Sequence, residues 1–304
     1  MPHACGGNAT GRTTLCVGIT RGMRGDGHGP AGPESACPSA GGACRNRPHR
    51  AGAKEGRKDM GRMRLVDWLT YERGQYRDHG LYYNTQVLFA YHANRMAGST
   101  LTPAQISLLF VTGSLRPGDL DADAPAADVT AAVNHFRAFD WLLGHVDDPL
   151  DAGLIGTLHD MLRHGDGRTP ATAATSDGSA TADAAAVPGT VASSADLDQA
   201  LARCASLADD PVAIAAAYHA LTAADPFADG DGRLAGLVLF KELLRIDAVP
   251  VVPLSYHRDE YARALKRFPS DPEPLTGLLR GDREIYHRMM DAYTAGRVRC
   301  SYHR

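Results

Sequence analysis

No stretch of this 304-residue chain approaches the ~18 consecutive apolar residues that a membrane helix requires. The N-terminus also lacks the apolar core of a secretory signal. These absences predict a soluble, cytoplasmic protein with no membrane partner. The six cysteines (Cys5, Cys16, Cys37, Cys44, Cys204 and Cys300) form no CxxC pair, which sets a zinc knuckle aside. Cys204 and Cys300 read as ordinary reduced thiols. Aromatic residues make up only 7% and the net charge is −3, so nothing overall points to a nucleic-acid partner.

The charge that is present is unevenly placed. Residues 1–60 carry 9 Lys/Arg against 4 Asp/Glu, leaving 23 against 31 for the remainder. The same 60 residues hold 13 glycines and almost no large apolar side chain. Residues 1–62 therefore read as a disordered basic tail, since little there offsets the entropy of ordering. Met60 and Met63 stand just before the first amphipathic segment and are alternative translation starts.

From Leu65 the pattern becomes helical, and strand signals are scarce. Leu81 to Met96 carries Val87, Leu88 and Tyr91 at helical spacing, and Gly98-Ser99-Thr100 ends it. Thr102 caps a second helix with Pro103 at its first position. Asp128 opens a third, whose stripe is Val129, Ala132, Val133, Phe136 and Leu143. Leu150 to Leu162 is a fourth. Residues 164–195 form a low-complexity insertion without aromatics, read as flexible or as a poorly ordered hairpin. Asp210-Pro211 caps the next helix, which Pro226 stops at Asp225. Helices at 234–245, 259–268 and 283–293 follow, with a short extended piece from Val249 to Leu254. The expectation is one mainly α domain over 65–295 and a tail at 296–304.

The most informative stretch is Asp225-Pro226-Phe227-Ala228-Asp229-Gly230-Asp231-Gly232-Arg233. A glycine-rich turn that opens a helix favours an anion, through unpaired N–H groups and the helix dipole. Gly230 and Gly232 permit close backbone approach. Arg233 offers a fork suited to phosphate. Asp229, with Asp231 beside it, suits Mg²⁺, which commonly bridges carboxylates and nucleotide phosphates. Phe227 anchors the loop inward. A calcium loop of the EF-hand type is the competing reading, but Phe227 and Val238 would occupy two of its ligand positions, and neither binds calcium.

The stretch resembles the Fic (Fido) motif, His-Pro-Phe-x-Asp/Glu-Gly-Asn-Gly-Arg-x-x-Arg. It matches at Pro226, Phe227, Asp229, Gly230, Gly232 and Arg233. Asn134-His135, Leu154-Ile155 with Leu158-His159, and Ala215 to His219 resemble Fic core segments in the same order. Residues 93–102 resemble the family's inhibitory helix and the turn after it. The resemblance covers about residues 80–280. It implies a Fic-type helical bundle with at most a short β-hairpin flap. It also implies transfer of AMP, or another phosphate-containing moiety, from ATP or another nucleotide with Mg²⁺ to a hydroxyl side chain of a target protein. On this resemblance the nucleotide-binding residues are Phe227, Gly230, Asp231, Gly232 and Arg233, and the metal ligand is Asp229.

Four positions depart from the pattern. Asp225 stands where the family has its catalytic histidine, and Asp231 replaces the asparagine. Gly236 replaces the final arginine, which grips the outer phosphate in the family. Ala97 occupies the position of the inhibitory glutamate that pairs with that arginine. A free carboxylate titrates near ~3.9 against ~6.5 for imidazole, so Asp225 is a weak base at neutral pH. Loss of a general base typically removes ~10²–10⁴-fold in rate. Two readings follow: a divergent nucleotidyltransferase of weak or altered activity, or an inactive Fic pseudoenzyme that serves as an interaction or regulatory module. His135, His159 and His219 each lie in an apolar helix and read as buried, hydrogen-bonded side chains rather than ligands or bases.

Overall fold

The computed structural model describes residues 62–75, 79–116, 119–121, 123–164, 195–224 and 232–303. The basic tail, the low-complexity insertion and the loop 225–231 thus lie outside the described residues, apart from Arg62, His164 and Ala195 at their edges. The remainder is mainly α. The helices are α1 (Leu65–Gln75), α2 (Gly80–Met96), α3 (Pro103–Thr112), α4 (Ala126–Leu143) and α5 (Ala152–His164). They continue as α6 (Ala195–Ala205), α7 (Pro211–Ala224), α8 (Gly232–Arg245), α9 (Arg258–Arg267) and α10 (Glu273–Thr294). Two short strands, β1 (Met63–Arg64) and β2 (Val298–Arg299), pair in parallel and join the two ends of the helical body. Residues 296–303 are held there as well: Ser301 N–H donates to Asp247 O at 2.8 Å, and its carbonyl accepts from Val249 N–H at 3.0 Å. The expected flap falls in the stretch outside the described residues. Among the described residues no helix is long and apolar enough to cross a membrane.

Side-chain caps open three of the helices. Thr102 Oγ1 accepts from Gln105 N–H at 3.2 Å while Gln105 Oε1 accepts from Thr102 N–H at 2.9 Å, a reciprocal cap ahead of Pro103. Asp151 and Asp210 cap α5 and α7 through Leu154 N–H and Ala213 N–H, each at 2.8 Å. Asp128 was expected to open α4, but the helix begins two residues earlier at Ala126. The Asp128 carboxylate instead accepts from the Thr100 N–H and hydroxyl at 2.7 and 2.9 Å, and so ties the turn after α2 to α4. The last helix starts at Glu273, not near Arg283, because Pro274 sits in its first turn, where proline is tolerated. Gly277 and Gly281, both poor helix formers, lie within it.

The core centres on α8, where Leu234 to Leu244 are buried without interruption. A helix apolar on nearly every face belongs inside, and α2, α4, α5, α6 and α7 all pack on it. Its two buried charges are paired: Lys241 Nζ donates to Glu242 Oε1 at 2.8 Å, and Arg245 Nε donates to Glu242 Oε2 at 2.6 Å. Lys241 also donates to Asp148 O at 2.8 Å, which satisfies it further. Cys204 and Cys300 are free, and burial pushes both thiols up to about 12.

The extended segment 249–254 is pinned by Asp282, a buried carboxylate of α10. Its Oδ2 accepts from Leu254 N–H at 2.8 Å and from the Tyr261 hydroxyl at 2.6 Å. Burial pushes the Asp282 carboxyl up to about 6, against the pull of those two donors. The folded state therefore holds this proton more tightly than the unfolded chain. The group's stabilisation is complete below pH ~4 and is lost as pH rises through ~6. Burial holds the His92 imidazole down at about 4, so its contribution runs the other way, present above pH ~6.5 and lost on acidification. Asp282→Asn keeps an acceptor oxygen but cannot ionise. The stability difference between this variant and the parent should move in the variant's favour by ~2–3 kcal/mol between pH 4 and pH 7 in urea titrations. A pH-independent difference would show that Asp282 ionises normally in the fold.

Candidate functional site

Helix α8 opens at Gly232, the last glycine of the turn, with Arg233 beside it half-buried. Its first N–H groups have no intrahelical acceptor, and its dipole places partial positive charge there. A cleft of about 130 Å³ lies at this end. Its walls are Phe89, Ala93, Met96 and Ala97 from α2, Tyr218 from α7, Gly232, Arg233 and Gly236 from α8, and Pro253. The structure thus brings Ala97, Gly232, Arg233 and Gly236 to one place. Asp225, Phe227, Asp229, Gly230 and Asp231 lie outside the described residues.

The α2 side of the cleft is set by how that helix ends. Gly98 takes φ +104, a left-handed conformation that suits glycine, and closes the helix with Gly98 N–H on Arg95 O at 3.1 Å. Asn94 is buried in the last turn. Its Nδ2 donates to Ala90 O at 2.8 Å, and its Oδ1 accepts from Arg233 Nη1 at 3.1 Å. Ala97 is exposed at the cleft's edge and presents no carboxylate.

Gly236 lies one turn inside α8 and faces the Phe89 ring. A Cβ at Gly236 would stand 3.3 Å from Phe89 Cε2, tighter than ordinary contact, and 3.5 Å from Cζ. The ring itself is held by His135, Phe139 and Phe240 at centroid distances of 4.9, 6.1 and 5.4 Å. Phe89 therefore takes up room beside the position where the Fic pattern has its final arginine.

The three histidines behave differently from one another. His135 is fully buried, as expected, but neither ring nitrogen has a hydrogen-bond partner among the described residues. Burial, with the nearby Arg233 charge, holds its imidazole down at about 3, so it is neutral at physiological pH. His159 is buried with Nδ1 3.8 Å from Asp160 Oδ1. His219 is half-buried and stacks on Phe268 at 4.6 Å, and burial followed by Arg203 lowers its pKa. None of the three lines the cleft.

Sequence reasoning passed over Phe89, Tyr218 and Pro253. A signal existed for the first: Phe89, Ala93, Met96 and Ala97 recur at spacings of four, three and one, which puts them on one helix face. No cluster of three or more His, Cys, Asp or Glu side chains suited to a metal occurs among the described residues. Asp229 and Asp231, the carboxylates whose chemistry suits Mg²⁺, lie outside the described residues.

No family model matches the sequence, and no curated protein does. Solved structures do. A Fic-domain-containing signaling protein from Bacteroides thetaiotaomicron superposes with a TM-score of 0.50 at 17% identity, over 76% of this chain and 93% of its own. A fragment of Fic-1 from C. elegans gives a TM-score of 0.53 at 19% identity, over 75% of this chain and 69% of its own. A single-substitution variant of that fragment gives 0.52 at 20% identity. The architecture of this chain is the Fic fold. Identities at or below 20% speak for that fold and not for the reaction.

The Gly236–Phe89 contact has a measurable consequence. Gly236→Arg should lower stability by about 2–4 kcal/mol, because it overpacks the core and buries a cation without a partner. Gly236→Ala should stay within about 1 kcal/mol of the parent, since better helix propensity offsets the tight contact. Chemical denaturation midpoints decide it; an unchanged midpoint for Gly236→Arg would mean that Phe89 yields readily.

Proposed function

We propose that this chain is a divergent Fic-fold protein that binds a nucleotide or another phosphate-bearing compound at the start of α8, with AMP transfer weak or altered. The observation that carries this reading is the convergence of Gly232, Arg233, Gly236 and Ala97 on one cleft at a helix N-terminus. The glycine turn and Arg233 supply N–H donors and positive charge for phosphate. Asp229, with Asp231, would hold Mg²⁺, which when bound would neutralise phosphate charge. Asp225 would occupy the general-base position toward a hydroxyl acceptor on a target protein, as a weak base or as a further metal ligand.

The two losses that the sequence pairs also meet in space. Ala97 and Gly236 line the same cleft, so the missing inhibitory carboxylate and the missing arginine face a common volume. This favours a coordinated change over a random lesion. It also gives weight to a second reading, a catalytically inactive Fic module that acts through a partner, because Phe89 is packed beside the arginine position.

Two measurements separate the readings. Calorimetry of the full chain with Mg²⁺ and a nucleotide panel should show saturable binding; no heat with any member would leave the partner module as the surviving reading. Asp225→His, made alone, should raise transfer of labelled AMP to protein by about 10²–10⁴-fold over the parent if base loss limits the rate. Equal labelling by parent and variant would refute the weak-base argument.

A further inference from the structure

We infer that Asp282 and His92 act as opposed clamps on the extended segment that supplies Pro253 to the cleft, so that this wall stays in place across a pH range in which either clamp alone would release it. The inference concerns the wall and holds whatever the cleft binds.

The segment depends on its ends. Residues 249–254 are buried, and Pro250 and Pro253 have no N–H to donate. At the first end Val249 N–H donates to Ser301 O at 3.0 Å, and Val249 O accepts from Arg283 Nε at 2.7 Å. At the other end two adjacent backbone N–H groups go to two different helices. Leu254 N–H donates to Asp282 Oδ2 of α10 at 2.8 Å, and Ser255 N–H donates to His92 Nδ1 of α2 at 3.0 Å. The Ser255 hydroxyl also lies 2.9 Å from that nitrogen. Pro253, the residue before this double clamp, lines the cleft.

The two acceptors respond to acid in opposite senses. Because Ser255 N–H points at His92 Nδ1, the neutral ring carries its proton on Nε2, and protonation at Nδ1 would set two donors against each other. Burial holds this imidazole down at about 4, so its hold is present above pH ~6.5 and lost as pH falls through 4. Burial pushes the Asp282 carboxyl up to about 6, so its hold is complete below pH ~3.9 and weakens as pH rises through 6. The groups facing Asp282 are Tyr261 of α9, Tyr218 of α7 and His257, which opposes the rise. Arg283, next along α10, is committed to Val249 O, His303 O and Asp209. His92 is faced by the rings of Tyr91 and Tyr256 at 4.8 and 4.9 Å. Opening the segment wets both clamps, and over the same pH interval one favours opening as the other opposes it.

Hydrogen exchange on the full chain tests this, read as opening of a peptide covering 249–257 after division by intrinsic exchange rates. In the parent, opening at pH 5 and pH 7.5 should agree to within about threefold. Asp282→Asn keeps an acceptor but cannot ionise, so only His92 responds, and opening should be about 30-fold more frequent at pH 5 than at pH 7.5. His92→Asn, likewise an acceptor that does not titrate here, should reverse this, with opening about tenfold more frequent at pH 7.5. The double variant should lose both responses. Each readout is a ratio within one protein, so a general loss of stability does not mimic it. Single variants that keep the parent's pH response would overturn the inference. So would exchange of this peptide at the same rate as one from α8 in every protein, since the segment would then open only with the whole fold.

Discussion

The enclosure of α8 on all sides governs this molecule. Eleven consecutive residues from Leu234 to Leu244 are buried, including Lys241 and Glu242, whose charges are tolerable there because they pair with each other and with Asp148 O and Arg245. A helix so completely surrounded cannot tilt or slide without disturbing α2, α4, α5, α6 and α7 together. Its N-terminus is therefore fixed relative to the end of α2. That is the relation a phosphate site at a helix start needs, since donors must stand in place before the ligand arrives.

The same enclosure explains why the changes at the site are linked. Gly236 sits inside the buried part of α8, so a side chain there must be accommodated by the core. In this chain the space beside it belongs to Phe89, and Phe89 belongs to a ring cluster with His135, Phe139 and Phe240. The absent arginine is thus part of a packing arrangement rather than an isolated surface loss. Ala97, at the edge of the same cleft, has no guanidinium at Gly236 to answer, and its side chain adds only apolar wall. Arg233 is joined to α2 through Asn94, a neutral contact that ties the two elements without a carboxylate.

Much of the fold was legible because its signals are local. The caps at Thr102 and Asp210 depend on residues three positions away, and the structure has both. The Fic resemblance rested on the spacing around Gly230, Gly232 and Arg233 and on the order of the helices, and the solved structures share that helical architecture. Other features were not readable, for reasons that are also physical. Asp128 has the chemistry of a cap, but its carboxylate is claimed by Thr100, a partner 28 residues distant. The parallel pairing of Met63–Arg64 with Val298–Arg299 involves two residues per strand, too few to leave an alternation in sequence. At the site, Ala97 and Gly236 were flagged by comparison with a pattern, whereas Phe89 breaks no pattern. Only the distance from Gly236 shows that it shapes the cleft.

His135 marks the cost of this arrangement. A neutral imidazole in the core whose two nitrogens find no partner among the described residues is an unfavourable choice on hydrogen bonding alone, by about 1–3 kcal/mol for each group left unsatisfied. It persists in edge contact with Phe89, and burial, with the Arg233 charge adding to it, holds it unprotonated. Phe89 is common to that contact, to the Gly236 approach and to the apolar wall. A substitution at Phe89 would thus act at once on core stability and on the cleft. Core packing and the shape of the cleft are coupled here through one ring, and neither can be altered independently from that position. The fold has kept the Fic frame of helices, and the side chains that face the start of α8 have been repacked around an aromatic residue instead of a second arginine.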